Sequence, residues 1–279
     1  MTIFGACIAM VVYLVTNDLL HTPAIMKPNY SNHALPALGG LIALMGVLIC
    51  AALLVFVPRV GHENMASYDL VVIVLGFGII GLIDDLLGDK DRQGFKGHIR
   101  ALFSGNITTG VIKLFGGPLV ALLAFSGQIP SRGYLPVLVD VIAIALIANL
   151  FNLLDLAPGR CSKYALFALV VVAAIVPTPS FQYCIIGLVA ICLVFDVREK
   201  FMLGDTGANV LGALAGLAIV SISSDYVSVW IVVVTFLLNL LSEFVSYSRI
   251  INAFLPLRFV DELGQLARRR AWAKERRQH

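Results

Sequence analysis

Charge is scarce in this chain. Of 279 residues, 20 are Lys or Arg and 17 are Asp or Glu, so 13% carry charge, about half the share of a soluble domain. Hydrophobic residues make up 59%. So little polar surface excludes a water-soluble globule, and so much apolar surface excludes a disordered chain. The same composition excludes a nucleic-acid-binding module; the formal net charge of +3 says little, because placement matters more than the sum. Cysteine is also sparse. Cys7, Cys50, Cys184 and Cys192 lie in apolar stretches, Cys161 lies in a polar connection, and no CxxC pair exists. That pattern excludes a disulfide scaffold. No basic segment precedes the first apolar run: the first Lys is Lys27, and no small-residue cleavage site follows. The run therefore reads as a first membrane helix and not as a cleavable leader. Internal repeats, low-complexity tracts and a polar stretch long enough for a second domain are missing too.

What is present is a series of nine apolar segments: 1–20, 36–57, 68–83, 107–126, 134–152, 164–178, 182–196, 207–222 and 227–247. A spanning helix needs about 20 residues, so 164–178 and 182–196 are short and are expected to extend into their flanks. The pattern predicts an all-α, polytopic membrane helix bundle of about nine transmembrane helices over 1–248. A basic amphipathic tail, 249–279, follows it. Pro256 divides the tail, and a basic run from Arg268 to Arg277 ends it. The tail is read as a helix lying on the membrane surface, with a substrate-gating role as the sharper alternative.

Nine spans place the connections alternately on two sides. All Lys and Arg except Arg59 and Arg132, 18 of 20, fall on the side holding 21–35, 84–106, 153–163, 197–206 and the tail. The positive-inside rule makes that side cytoplasmic and the N-terminus external. The expected location is the plasma membrane.

The acidic residues gather on the same side. Asp84 and Asp85 follow the third segment in GLIDDLLGD, Asp155 follows the fifth in NLFNLLD, and Asp205 precedes the eighth in MLGDTGAN. Each alone is readable as a helix cap or a solvated charge. Together, with few Cys or His nearby, clustered carboxylates suit a hard cation, Mg²⁺ above all. Adjacent carboxylates at a membrane boundary repel and favour a compensating cation. Lys90, Arg92, Lys96, His98 and Arg100, with Arg160 and Lys163 in the next connection, offer phosphate-binding groups. Mg²⁺ with basic side chains is the equipment of phosphoryl transfer. Asn149, Asn152 and Asp155, spaced i, i+3, i+6, lie near one face of a helix. They are expected either to bind something or to make helix–helix hydrogen bonds. Gly204 and Gly207 permit close backbone approach, and Thr206 is expected to cap the eighth helix.

These residues carry a resemblance. PALGGL at 36–41, GLIDDLLGD, NLFNLLD and MLGDTG resemble, in order and on one membrane side, four motifs of the polyprenyl-phosphate N-acetylhexosamine-1-phosphate transferase family, glycosyltransferase family 4. The resemblance covers about residues 27 to 215 and implies a divergent member. It implies that a polyprenyl phosphate such as undecaprenyl phosphate attacks the β-phosphate of a UDP-sugar, releasing UMP. Asp205, with Asp84, would bind Mg²⁺. Asp84 and Asp85 would serve the metal–phosphate site or deprotonate the lipid phosphate, with Asp155 as a third catalytic carboxylate. Asn149, Asn152 and Gly204 would bind substrate. Relatives suggest a homodimer. Two features depart from the family: Asp155 is followed by Leu156, Ala157, Pro158, Gly159 and Arg160, and no late His cluster exists, His279 being the only His after His98. Lys96, His98 and Arg100 are expected to compensate as substrate-binding groups. A non-catalytic relative that binds lipid phosphate or an envelope partner stays open as an alternative. So does a transporter, for which Asp140 is the one mid-membrane candidate.

Overall fold

The computed structural model describes residues 1–23, 25–29, 32–54, 64–88, 108–176 and 180–265. Helix α1 is Thr2–Leu20, α2 is Gly40–Leu54, α3 is Asn64–Leu87 and α4 is Thr109–Phe125. After a 3₁₀ turn, Ser126–Gln128, come the short α5, Ile129–Arg132, and α6, Tyr134–Leu154. Then follow α7, Arg160–Ile175, α8, Ser180–Val197, α9, Gly204–Ile222, and α10, Asp225–Ser242. Two short helices, α11 over Tyr247–Ala253 and α12 over Leu255–Glu262, close the described chain.

Each of the nine apolar segments coincides with a helix, and the chain is an all-α, multi-pass membrane bundle. Among the described residues, 7 helices are long and apolar enough to cross a membrane. Helices α2 and α7 are shorter, at 15 and 16 residues. The segment expected at 164–178 extends N-terminally to Arg160. The connection expected over 127–133 is helical for most of its length.

Helix α9 is the axis of the bundle, packed by α2, α3, α6 and α7. Its sequence, GDTGANVLGALAGLAIVSI, is rich in small residues, which let backbones approach where no hydrophobic drive separates helix from lipid. Gly212 sits against Ala148 and Phe151, and Gly216 against Ile144 and Ile147. Helix α10 is the opposite case: 11% of its apolar window is buried, against 72% for α9. Its Trp230, Val234, Phe236 and Leu237 point outward, as a lipid-facing surface does.

Among the described residues, one feature is extended. β1 (Met26–Pro28) and β2 (Ala34–Pro36) form an antiparallel hairpin, with Lys27 opposite Leu35. All of it but Pro36 lies in the stretch 21–35, which hydropathy reads only as a polar connection. At the far end of the bundle, Asp140 is fully buried and pairs with Arg132 at 2.7 Å. Arg132 also reaches Asp225 at 2.8 Å. Asp140, expected near mid-membrane, is thus part of an inter-helix ion pair at that end.

Candidate active site

The site begins with two motifs distant in sequence. Residues 36–40 run beside 202–203: Met202 N–H donates to the Pro36 carbonyl at 2.7 Å, Gly39 N–H to Met202 at 3.0 Å, and Gly40 N–H to Leu203 at 2.8 Å. PALGG and MLGDTG are therefore one structural unit. The approach is so close that a Cβ on Gly40 would lie 2.0 Å from the Gly207 nitrogen. Gly204, at φ +71°, turns the chain into α9 where a Cβ would meet the Ala37 carbonyl at 2.6 Å and Asp85 Oδ1 at 2.8 Å. Glycine answers both demands, positive φ and space.

Helix α3 delivers the two adjacent aspartates to different partners. Asp85 faces the start of α9. Its Oδ1 accepts from Asp205 N–H at 2.9 Å. Its Oδ2 accepts from Thr206 N–H at 2.8 Å and from the Thr206 hydroxyl at 2.6 Å. The first N–H groups of a helix have no partner within it, and the positive end of the helix dipole favours an anion. Asp85 therefore caps α9 from another helix. This corrects the expectation that Thr206 caps it: the helix starts two residues earlier, at Gly204, so Thr206 lies inside the first turn and donates. The hairpin adds to this corner, because Lys27 Nζ donates to the Asp85 backbone carbonyl at 2.7 Å.

Asp84 faces α4. Lys113, one turn into α4, forms ion pairs with Asp84 and with Asp205, the latter at 2.5 Å. Lys113 thus draws together carboxylates from two motifs. Sequence reading counted it only as a basic residue on the charged side. A lone Lys inside an apolar helix is a functional signal, and that signal was available. Two carboxylates converging on one ammonium can share one cation. Mg²⁺ takes one or two protein carboxylates and fills its octahedron with water and phosphate oxygens. Asp84 and Asp205 fit that requirement. No cluster of three or more metal-ligating side chains exists among the described residues.

The third motif joins through Asp155, which caps the C-terminal end of α6. Asp155 is half-buried, and its carboxyl lies within electrostatic reach of Asp196, Asp205 and Asp85. Burial first, and then these like charges, push its pKa well above the carboxylate range, with Arg160 opposing. Asn152 is half-buried one turn earlier. Asn149 is drawn to another helix: its Nδ2 donates to Asn239 Oδ1 on α10 at 2.7 Å. Asn239 in turn donates to the Leu146 and Thr235 carbonyls at 3.0 and 2.8 Å. Of the two roles the sequence left open for this amide, the helix–helix bond is the one it makes here.

Asp196 accepts from the Ser162 hydroxyl at 2.8 Å and from the Gly159 backbone, so it ties α8 to the start of α7. Arg160 and Lys163, expected as phosphate-binding groups, are engaged elsewhere. Arg160 is 3% exposed and holds Asp261 with two nitrogens, at 2.7 and 2.9 Å. Lys163 donates to the Val260 and Asp261 carbonyls at 3.0 and 2.6 Å. The basic set Lys90, Arg92, Lys96, His98 and Arg100, with Asp89, lies outside the described residues.

Comparison with known proteins gives a family. Residues 67–223 match the model of a family described as Glycosyl transferase family 4. That stretch runs from the first turn of α3 to the end of α9 and contains Asp84, Asp85, Asp155, Asp196 and Asp205. Proteins named phospho-N-acetylmuramoyl-pentapeptide-transferase are similar. One, from Halalkalibacterium halodurans, is 26% identical over 222 residues, 70% of this chain and 63% of the relative. Another, from Borreliella burgdorferi, is 26% identical over 263 residues, 80% of this chain and 74% of the relative. A third, from Deinococcus radiodurans, is 26% identical over 191 residues, 64% of this chain and 59% of the relative. The chain spans less than two thirds of the first and third of these relatives.

Proposed function

We propose a reaction for this chain, which belongs to glycosyl transferase family 4: transfer of a sugar-1-phosphate, an N-acetylhexosamine-1-phosphate, from a UDP-sugar to a polyprenyl phosphate such as undecaprenyl phosphate. An oxygen of the lipid phosphate bonds to the β-phosphorus of the UDP-sugar. The bond from that phosphorus to the bridging oxygen breaks, and UMP leaves with the oxygen. A lipid pyrophosphate bearing the sugar stays in the membrane. The site end of the bundle faces the cytoplasm in this reading, and the N-terminus lies outside. The support is the one-sided distribution of Lys and Arg.

One observation carries the reading: Asp84 of α3 and Asp205 of α9 meet at Lys113 of α4, with Asp155 of α6 beside them. Helices α3, α4 and α9, with the residue that ends α6, thus bring two carboxylates, an ammonium and a further carboxyl to one end of the bundle, where a lipid phosphate and a soluble nucleotide would meet. Asp84 and Asp205 would hold Mg²⁺, which supplies neutralising charge to the phosphates. Lys113 stands where it can hand its charge from carboxylate to phosphate as substrate enters. Asp85 keeps Asp205 in register through its bonds to the α9 amides. Asp85 is already engaged by three donors, which leaves Asp84 for the metal–phosphate site.

The test is UMP release by purified protein with undecaprenyl phosphate, Mg²⁺ and a panel of UDP-sugars. Release from one sugar is expected. It should be abolished by chelation and lowered about 100-fold or more by Asp205→Asn or Asp84→Asn. No release from any sugar by a folded preparation would refute the assignment and favour a non-catalytic lipid-phosphate binder.

A further inference from the structure

The C-terminal segment is fastened to the turn that carries Asp155. The turn runs Asp155–Leu156–Ala157–Pro158–Gly159–Arg160, with Gly159 at φ +74°. Arg160 opens α7 and turns its guanidinium onto the two short helices. Nε and Nη2 grip both oxygens of Asp261 on α12 at 2.7 and 2.9 Å, and Nη1 donates to Ser248 Oγ on α11 at 2.9 Å. Asp261 is itself 6% exposed. Lys163 adds bonds to the last carbonyls of α12, where a cation suits the helix dipole. Gln265 closes the circuit, donating to the Pro158 carbonyl at 3.2 Å and to the Asp261 carbonyl at 2.8 Å. Both turns rest on one side chain: a Cβ on Gly159 or on Gly264 would lie 2.1 or 2.8 Å from a methyl of Val197.

A surface helix held only by lipid needs none of this. A buried, bidentate Arg–Asp pair is costly to desolvate and adds little net stability over apolar packing. What such a pair does supply is fixed direction. Here the fixed object is a six-residue turn with a site carboxylate at its head.

We infer that residues 247–265 form a strap over the catalytic end, and that Arg160 and Asp261 are positioning residues that set where Asp155 stands. The inference rests on the transferase reading above for its kinetic consequence and on the geometry alone for its structural one. Both are testable in the full-length chain in detergent. Asp261→Asn should lower kcat for UMP release about tenfold or more with KM for the UDP-sugar little changed. The exchange Arg160→Asp with Asp261→Arg should recover much of that loss. Amide hydrogen exchange over 155–163 should speed up in Asp261→Asn and slow again in the exchanged pair. Unchanged turnover in Asp261→Asn overturns the positioning role. So does a loss shared equally by kcat and thermal stability without rescue by the exchanged pair. Unchanged amide exchange over 155–163 overturns the strap itself. A wild-type protein that releases no UMP refutes the transferase reading alone, and the exchange measurement still decides whether the strap holds the turn.

Discussion

Asp84 and Asp85 are neighbours of identical chemistry, and the structure predicts opposite consequences for their removal. Asp85 accepts three hydrogen bonds, two from the first amides of α9 and one from Thr206. Loss of an ordinary N-cap costs about 1 kcal/mol. Here the acceptor is charged and the orphaned donors are partly buried. Each bond to an ionised group is worth about 1.5–3 kcal/mol, and a buried donor left unmade costs a similar amount. These contributions overlap, so Asp85→Ala should cost about 3–5 kcal/mol. At about 2–3 °C per kcal/mol for a chain of this size, that is a fall of roughly 6–15 °C in Tm. Asp84 accepts an ion pair whose Lys partner keeps Asp205. Asp84→Ala should therefore shift Tm by about 3 °C or less while removing turnover. The assay is thermal unfolding of both variants in the same detergent, followed by intrinsic fluorescence, with UMP release measured alongside. If Asp85→Ala melts within about 2 °C of wild type, or Asp84→Ala melts as low as Asp85→Ala, the division of labour is wrong.

Lys113→Met keeps the length of the side chain and removes its charge. It should lower UMP release about 100-fold or more without weakening affinity for Mg²⁺, since a cation competing for Asp84 and Asp205 is gone, which titration of the metal dependence would check. Asp155 holds its proton to higher pH in the folded state than in the unfolded chain, because burial and its acidic neighbours disfavour the anion. Its unfavourable contribution is therefore absent below about pH 4, the unfolded value, and grows as pH rises toward the raised folded value. Asp155→Asn should accordingly melt above wild type at neutral pH and lose that advantage as pH falls toward about 4. A gap that is constant with pH would refute this. Asn239→Ala removes the acceptor of Asn149 and two bonds to backbone carbonyls. It should cost about 1–2 kcal/mol, a fall of about 2–6 °C. If Asn149→Ala falls by a similar amount and keeps turnover, the bond to α10 accounts for that amide.

The spans and their shared charged end were legible because both follow from composition along the chain. Apolar runs must become helices in lipid, and Lys and Arg choose the side. The hairpin at Met26–Pro36 was not legible, since strands of three residues that each end in Pro carry no alternation to read. The roles of Arg160 and Lys163 were hidden for another reason: their partners lie about a hundred residues away on short helices whose amphipathic pattern reads equally well as a lipid surface. The difference between Asp84 and Asp85 was recoverable in part. Successive helical residues point about 100° apart, so the pair could not share one ligand from one direction. The clue was Gly81, four residues before Asp85 and hence on its face. A Cβ there would strike the Asp205 carbonyl at 2.4 Å. A glycine one turn before an aspartate marks where another backbone passes. Here that backbone is the start of α9, and Asp85 caps it, while Asp84 turns to Lys113.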